Sequence, residues 1–296
     1  MKLAILLLCH RNAEQINLFL RKLKHPDIEF FIHMDKKTDS DIVKKLIKRP
    51  DIHVLPDSLR VDIKWGEFSM VKATLNLLET ASEIRGFNYY WLCSGQDFPI
   101  KSASQIIDYF TDHYGNNFVS VWDKSTCQKR GLYKRVNLYY PQFLFGRTLL
   151  KRILKRAYVE LTGGYFNTYP LFKRKNEFNK QMFYFGPQWI AVTDEFVKWA
   201  LTFLYKNTWY SKGYEHCVIP DESFFQTLFM NSPFKETKHN FLHYIDWSPK
   251  KGKPRNSPNT LTINDFEALK VSHYLMARKF DMDVDKDIIL KLYNGL

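Results

Sequence analysis

An unbroken apolar run near the start of the chain, Leu3-Ala-Ile-Leu-Leu-Leu-Cys9, admits few folds. A strand with one wet face alternates apolar and polar residues. Seven apolar residues in succession predict a strand covered on both sides, as in a parallel sheet with helices above and below. The run leads to Asn12, placed as a helix N-cap with Gln15 in a capping-box position, and Ala13, Ile16, Leu20 and Leu23 follow at helical spacing. The alternation then repeats: a strand over Ile28–Met34, a helix over 39–47, a short strand at 52–55 and a helix from Ser69 with Val71, Leu75 and Leu78 on one face. An aromatic strand at 88–93, a helix over 102–113 and a strand at 118–121 complete the first part. This order predicts an α/β fold built on a doubly wound, mostly parallel sheet. In such sheets ligands bind beyond the carboxyl ends of the strands, which selects His10-Arg11, His33–Asp35 and Ser94–Asp97 as the rim of one crevice.

The middle, 124–185, is aromatic, basic and less periodic; a basic helix over 147–159 is expected there, with Leu149, Leu150, Ile153, Leu154 and Ala157 inward. Order returns with a strand near 188–192, a helix from Asp194, a helix beginning at Asp221 with that residue as its N-cap, a strand near His243–Ile245 and a closing helix over 284–292. No repeat or linker divides the chain, so one domain over 1–296 is expected.

Several chemistries lose their support. Neither GxGxxG nor GxxxxGK[ST] occurs, and HExxH is missing. The four cysteines (Cys9, Cys93, Cys127, Cys217) form no CxxC pair, which argues against a zinc ribbon or disulfide scaffold and for a reducing compartment; Cys93 and Cys217 read as buried and inert. Asp281-Met-Asp-Val-Asp285 starts like a calcium loop but has Lys286 where glycine belongs and Leu292 where glutamate belongs. Asp39-Ser-Asp41 is a DxD, yet it stands where a loop enters a helix and reads as a cap. No metal is expected. No segment approaches the roughly 20 apolar residues of a membrane span, and Leu3–Cys9 lacks the cleavage site of a signal peptide, so the expected location is cytoplasmic.

Charge narrows the partners. The chain carries 44 Lys+Arg against 31 Asp+Glu, a formal +13. Between Asp123 and Glu160 there is no acid, while Lys124, Lys129, Arg130, Lys134, Arg135, Arg147, Lys151, Arg152, Lys155 and Arg156 all fall there. These bases interleave with Leu, Ile, Tyr and Phe, a pattern suited to peripheral contact with the anionic inner face of a membrane. No nucleic acid is expected, because the bases gather in loops rather than alternating with aromatics along a sheet face.

A series of segments carries the most specific signal. Trp65-Gly-Glu-Phe-Ser-Met-Val-Lys-Ala-Thr-Leu75 precedes Tyr90-Trp-Leu-Cys-Ser-Gly-Gln-Asp-Phe-Pro-Ile100; then come Gly186-Pro-Gln-Trp189, Ile219-Pro-Asp-Glu-Ser-Phe-Phe-Gln-Thr-Leu228, Tyr244-Ile-Asp-Trp247, Ser257-Pro258, Thr262-Ile-Asn-Asp-Phe266 and Ala277-Arg-Lys-Phe-Asp281. In this order they resemble the core-2/I-branching family, glycosyltransferase family 14, which includes β-1,6-N-acetylglucosaminyltransferases and peptide O-xylosyltransferases. The likeness runs from Leu3 to Asp281.

The resemblance implies a GT-A-like fold and an inverting transfer from a UDP-sugar with no required metal or other cofactor. Residues 1–122 would form the nucleotide-sugar half, 123–185 a basic aromatic insertion and 186–296 the acceptor and catalytic half. It further implies that Glu222 of the Pro-Asp-Glu block is the catalytic base, that Arg278 and Lys279 contact the donor diphosphate, and that Asp97 lies by the donor sugar. His33 and Asp35 then belong to the nucleotide pocket, and Trp65 stands near the active site. His10 and Arg255 are added as donor-side candidates, one at a strand end and one in a basic loop. Trp189, Tyr244 and Trp247 offer flat faces to an acceptor sugar. Transfer of GlcNAc in β linkage to a glycan or lipid-linked glycan is the first expectation, xylose is its closest alternative, and a basic carbohydrate- or nucleic-acid-binding protein without catalysis is the alternative from another class.

The chemistry fits those residue types. A single displacement at the anomeric carbon needs one carboxylate to take the proton of the incoming hydroxyl. The departing UDP gains charge on its β-phosphate, which a metal or fixed cations must stabilise. A cation 4 Å away contributes about 4 kcal/mol at an effective dielectric near 20, before desolvation.

Overall fold

The computed structural model describes residues 1–84, 86–146, 148–162, 176–249 and 257–295. Its main sheet has seven strands: β1 Leu3–Cys9, β2 Ile28–Met34, β3 Ile52–Val54, β4 Tyr89–Ser94, β6 Asn117–Val119, β7 Ile190–Thr193 and β8 Lys238–His239, in the spatial order β3-β2-β1-β4-β7-β6-β8. Strands β1 to β4 pair in parallel, whereas β7 runs antiparallel to both β4 and β6. A second sheet of β5 Asp97–Pro99, β10 Met276–Arg278 and β9 His243–Ile245 has the order β5-β10-β9.

The continuous apolar run is central β1, and its alternate residues serve two cores. Leu3, Ile5, Leu7 and Cys9 pack with the helices Ala13–Lys22, Ala103–Asp112 and Lys286–Gly295. Ala4, Leu6 and Leu8 pack with Ser69–Ile84, Asp194–Lys206 and Phe224–Met230. With no wet face, the strand has no place for a polar residue. The expected doubly wound α/β sheet is therefore the observed one. Among the described residues no helix is long and apolar enough to cross a membrane.

Local expectations divide. Ser102 and Gln105 form a reciprocal capping box, and Asn12 accepts the Gln15 N–H at 3.0 Å. Gln15 itself does not reach back to Asn12. Its buried amide instead donates to Gly95 O (2.8 Å) and accepts the Met282 N–H (3.1 Å), tying the loop after β4 to the segment after β10. The helix expected from Asp221 is corrected too. Ile219 takes a left-handed backbone (φ 54°), Pro220–Glu222 makes a single 3-10 turn, and the α-helix starts at Phe224. Asp221 is therefore not its N-cap.

The largest correction concerns the basic middle. The Leu149–Thr162 helix exists, but Leu149, Leu150, Ile153 and Leu154 point outward, at 71, 65, 55 and 45 % exposure. The lysines dock instead: Lys155 lies over the rings of Tyr140 and Phe145, and Lys151 Nζ donates to the Phe145 carbonyl.

Candidate active site

The second sheet sets the centre of the site. In the antiparallel pair of β5 and β10, Arg278 stands opposite Asp97, while β9 flanks Arg278 with Ile245. Asp97 is 1 % exposed and fully engaged. Its carboxylate accepts the Ser94 N–H at 2.7 Å and Arg278 Nη1 at 2.6 Å, and His243 Nε2 lies 3.4 Å away. Burial alone raises the pKa of this carboxyl, but the Arg278 charge and the contacts from His243 outweigh it and hold the group below its ordinary value. Asp97 thus acts on Arg278 rather than facing an open crevice.

Trp189 completes the anchor. Its ring centroid lies 4.3 Å from the Arg278 guanidinium carbon, and at 6 % exposure the indole lies against that cation rather than open to an acceptor, contrary to the role expected for it. Ser94 Oγ, Asp97 and Trp189 fix Nη1 and one face of the guanidinium. No partner among the described residues takes Nε or Nη2. Lys279 follows, half-buried, its carbonyl accepting the Leu261 N–H at 2.9 Å.

The carboxyl ends of β1 and β2 converge on the same place. His10 titrates low, from desolvation of its ring first and then the charges of Arg11, Arg278 and Lys279, with Asp35 opposing. Those influences bring His10, Asp35, Arg278 and Lys279 within one electrostatic neighbourhood. Arg11 pairs with Asp281 at 2.6 Å. Asp35, 7 % exposed, accepts the Lys37 N–H at 2.9 Å. His33 is fully buried and turned under a loop, where its Nε2 accepts the Val61 N–H at 2.8 Å. Burial lowers its pKa to about 4, so it is neutral at physiological pH. Arg60, unnoticed in the sequence, donates to the carbonyls of Met34, Asp35 and Thr38 and so clamps the end of β2. An isolated arginine in a loop gives no periodic signal.

The turn bearing Glu222 is tied to these elements by backbone bonds. Gly66 O, next to Trp65, accepts the Ile219 N–H at 2.9 Å, and Glu222 O accepts the Gly186 N–H at 2.9 Å. Gly186 is required there, since a Cβ would lie 2.0 Å from Ser120 O. The four residues Gly186 to Trp189 therefore touch Glu222 at one end and Arg278 at the other. Glu222 is part-exposed, and its Oε2 accepts Arg135 Nη1 at 2.6 Å, an ion pair that sequence reading did not foresee. Beside it the Asp221 carboxyl is pushed up to about 7, by burial first and by the Glu222 charge second.

Of the remaining candidates, Trp65 is 46 % exposed and Trp247 52 % exposed. Tyr244 is half-buried beside Ala277 in the second sheet. Arg255 lies outside the described residues. The DxD is engaged in helix capping: Asp39 accepts the Asp41 N–H, and Asp41 pairs with Lys44. Cys93, Asp97 and His243 bring three potential metal-ligand atoms within 4.8 Å of one another. That set suits an ion poorly, because Arg278 already neutralises Asp97 and burial holds the Cys93 thiol protonated.

Known proteins are similar to this chain along its length. A xylosyltransferase of Ciona intestinalis is 24% identical over 99% of the chain and 34% of its own length, and the xylosyltransferase oxt of Drosophila melanogaster is 25% identical over 99% of the chain and 33% of its own. The chain thus spans about a third of the length of these curated relatives. Mouse xyloside xylosyltransferase 1 in its apo form aligns at a TM-score of 0.39 and 10% identity, covering 93% of this chain and 96% of that one. Residues 3–270 match the family described as Core-2/I-Branching enzyme, and the chain belongs to that glycosyltransferase family.

Proposed function

We propose that this protein transfers a sugar from a UDP-sugar to a glycan or lipid-linked glycan with inversion, using fixed cations in place of a metal. The observation that carries this reading is the anchoring of Arg278, whose Nη1 is held by buried Asp97 and whose face rests on Trp189, beside Lys279 at the carboxyl ends of β1 and β2. A guanidinium so held keeps Nε and Nη2 for phosphate oxygens and need not reorganise as charge develops on the departing UDP. Lys279 adds a second positive charge.

Glu222 serves as general base. Arg135 fixes Oε2, leaving Oε1 to accept the proton of the acceptor hydroxyl as that oxygen attacks the anomeric carbon. Trp247, 52 % exposed, supplies a ring for a sugar face. The donor is a UDP-sugar carrying xylose or GlcNAc; the names of the curated relatives weigh toward xylose, and β-linked GlcNAc is the second reading, motivated by the branching members of the family.

The test is release of UDP from a panel of UDP-sugars by the wild type and Glu222→Gln. One donor turned over by the wild type and at least about 100-fold more slowly by the variant is expected. Equal rates from both would remove Glu222 from the mechanism.

A further inference from the structure

The Leu149–Thr162 helix is inverted relative to an ordinary surface helix. Its inner face is held by polar and aromatic contacts: Lys151 Nζ donates to Phe145 O at 2.6 Å, and Lys155 Nζ lies 5.4 Å from the Phe145 ring centroid and 5.9 Å from that of Tyr140. Val159 packs on the same Leu138, Tyr140 and Phe145 cluster. Its outer face carries Leu149, Leu150, Ile153 and Leu154, joined one residue before the helix end by Leu161 at 85 % exposure. At 100° per residue these five side chains cover an arc of about 140°. Phe143, 72 % exposed, stands in the 3-10 turn that packs against the helix.

Water is a poor solvent for such an arc, and the flanking charge says what covers it. Arg156 borders the leucine arc about 20° from Leu149, Arg152 stands about 40° further round, and Glu160, the helix's single acid, falls inside the arc but is ion-paired to Arg156. No other acid falls between Asp123 and Glu160. A second copy docked through this face about a two-fold axis would bring Arg152 and Arg156 toward their own images, with only Glu160 to offset them. An anionic phospholipid surface meets both requirements, since it takes an apolar stripe at the acyl boundary and arginines at the headgroups. We propose that the Leu149–Thr162 helix docks the protein on an anionic phospholipid membrane, lying in the interface with Leu149, Leu150, Ile153, Leu154 and Leu161 immersed. Membrane binding of this kind is independent of whether, and to what, the protein transfers sugar.

Flotation with vesicles of phosphatidylcholine alone, or mixed with phosphatidylglycerol, tests the proposal on the full chain without any turnover. The expected result is recovery with the mixed vesicles and at least about tenfold less with neutral ones. A variant carrying Leu149→Gln, Leu150→Gln, Ile153→Gln and Leu154→Gln is expected to lose at least about tenfold in partitioning, with its thermal melt unchanged because all four positions are exposed. Arg152→Glu with Arg156→Glu is expected to lose binding to the mixed vesicles selectively. Equal recovery on both lipids, or recovery on neither, overturns the proposal. So does a glutamine variant that floats as well as wild type. Light scattering provides a further check: a dimer that the glutamine variant dissociates, with no vesicle recovery, would assign the face to a second copy instead.

Discussion

Arg278 and Asp97, 181 residues apart, meet across two three-residue strands with Nη1 2.6 Å from a carboxylate that water does not reach. The pair explains how a cation can be fixed at the rim of a sheet without being free to swing, and in the proposed transfer Asp97 would act as a positioning residue through Arg278.

Asp97→Asn is therefore expected to damage stability and turnover together. Removing one partner of a buried ion pair leaves the other uncompensated and costs about 3–5 kcal/mol. Urea denaturation at pH 7 measures it. The native pKa of Asp97 lies below its unfolded value, so its contribution is complete above the unfolded pKa and is lost as pH falls through the native one. The gap between wild type and variant should narrow on acidification, and a gap constant with pH would contradict the assignment.

His33 makes a second, separable contribution to the pH profile. Its native pKa of about 4 lies below the ordinary 6.5 because burial disfavours the imidazolium. Stability from the neutral ring is full above 6.5 and declines as pH falls from 6.5 to about 4. The loss amounts to roughly 3 kcal/mol over that window, at ~1.4 kcal/mol per unit. His33→Gln, measured by denaturation between pH 4 and 7, should flatten this part of the curve.

Asp221 works in the opposite sense. A carboxyl raised to about 7 favours the folded state while protonated, and that advantage is present below the ordinary 3.8 and lost as pH rises through 7. Asp221→Asn is expected to be more stable than wild type at pH 8, with the difference shrinking toward pH 4. A variant less stable than wild type at pH 8 would show that the ionised carboxylate is needed by the fold.

Arg135 tests how Glu222 is used. Arg135→Ala releases Oε2 and removes a neighbouring positive charge. kcat should then fall about tenfold or more with little change in KM, because the base is no longer held in one orientation. Arg135→Lys should restore kcat in part, since a point charge replaces a directional fork. A purely structural role for Arg135 would lower the melting temperature in step with activity.

Sequence made the main sheet readable and left the site's key contact hidden, for physical reasons. Leu3–Cys9 announces itself because a strand covered on both faces has no polar position, and Ser102 with Gln105 does so because capping is local. The strands β5 and β10 are three residues each, too short for any period, and their pairing spans most of the chain. Leu149 and Leu150 point outward because the inner seat of their helix suits lysine over an aromatic ring, a preference no hydrophobic pattern encodes. Gln15 occupies a capping-box position yet is drawn away by the carbonyl of Gly95, a partner supplied only by the fold. The family blocks carried Glu222, Arg278 and Lys279; Arg135, which fixes the first of these, lies in the basic stretch outside them.

If side-chain cations, with no metal, take up the charge of the leaving diphosphate, one rate comparison should reveal it. UDP release is measured for wild type and Arg278→Ala in the presence of EDTA, then after adding manganese. Full wild-type activity in EDTA and a loss of at least about 100-fold in Arg278→Ala that manganese does not repair are predicted, the scale of removing a principal charge-stabilising contact. Wild-type activity abolished by EDTA and restored by manganese, with Arg278→Ala as active as wild type, would contradict it.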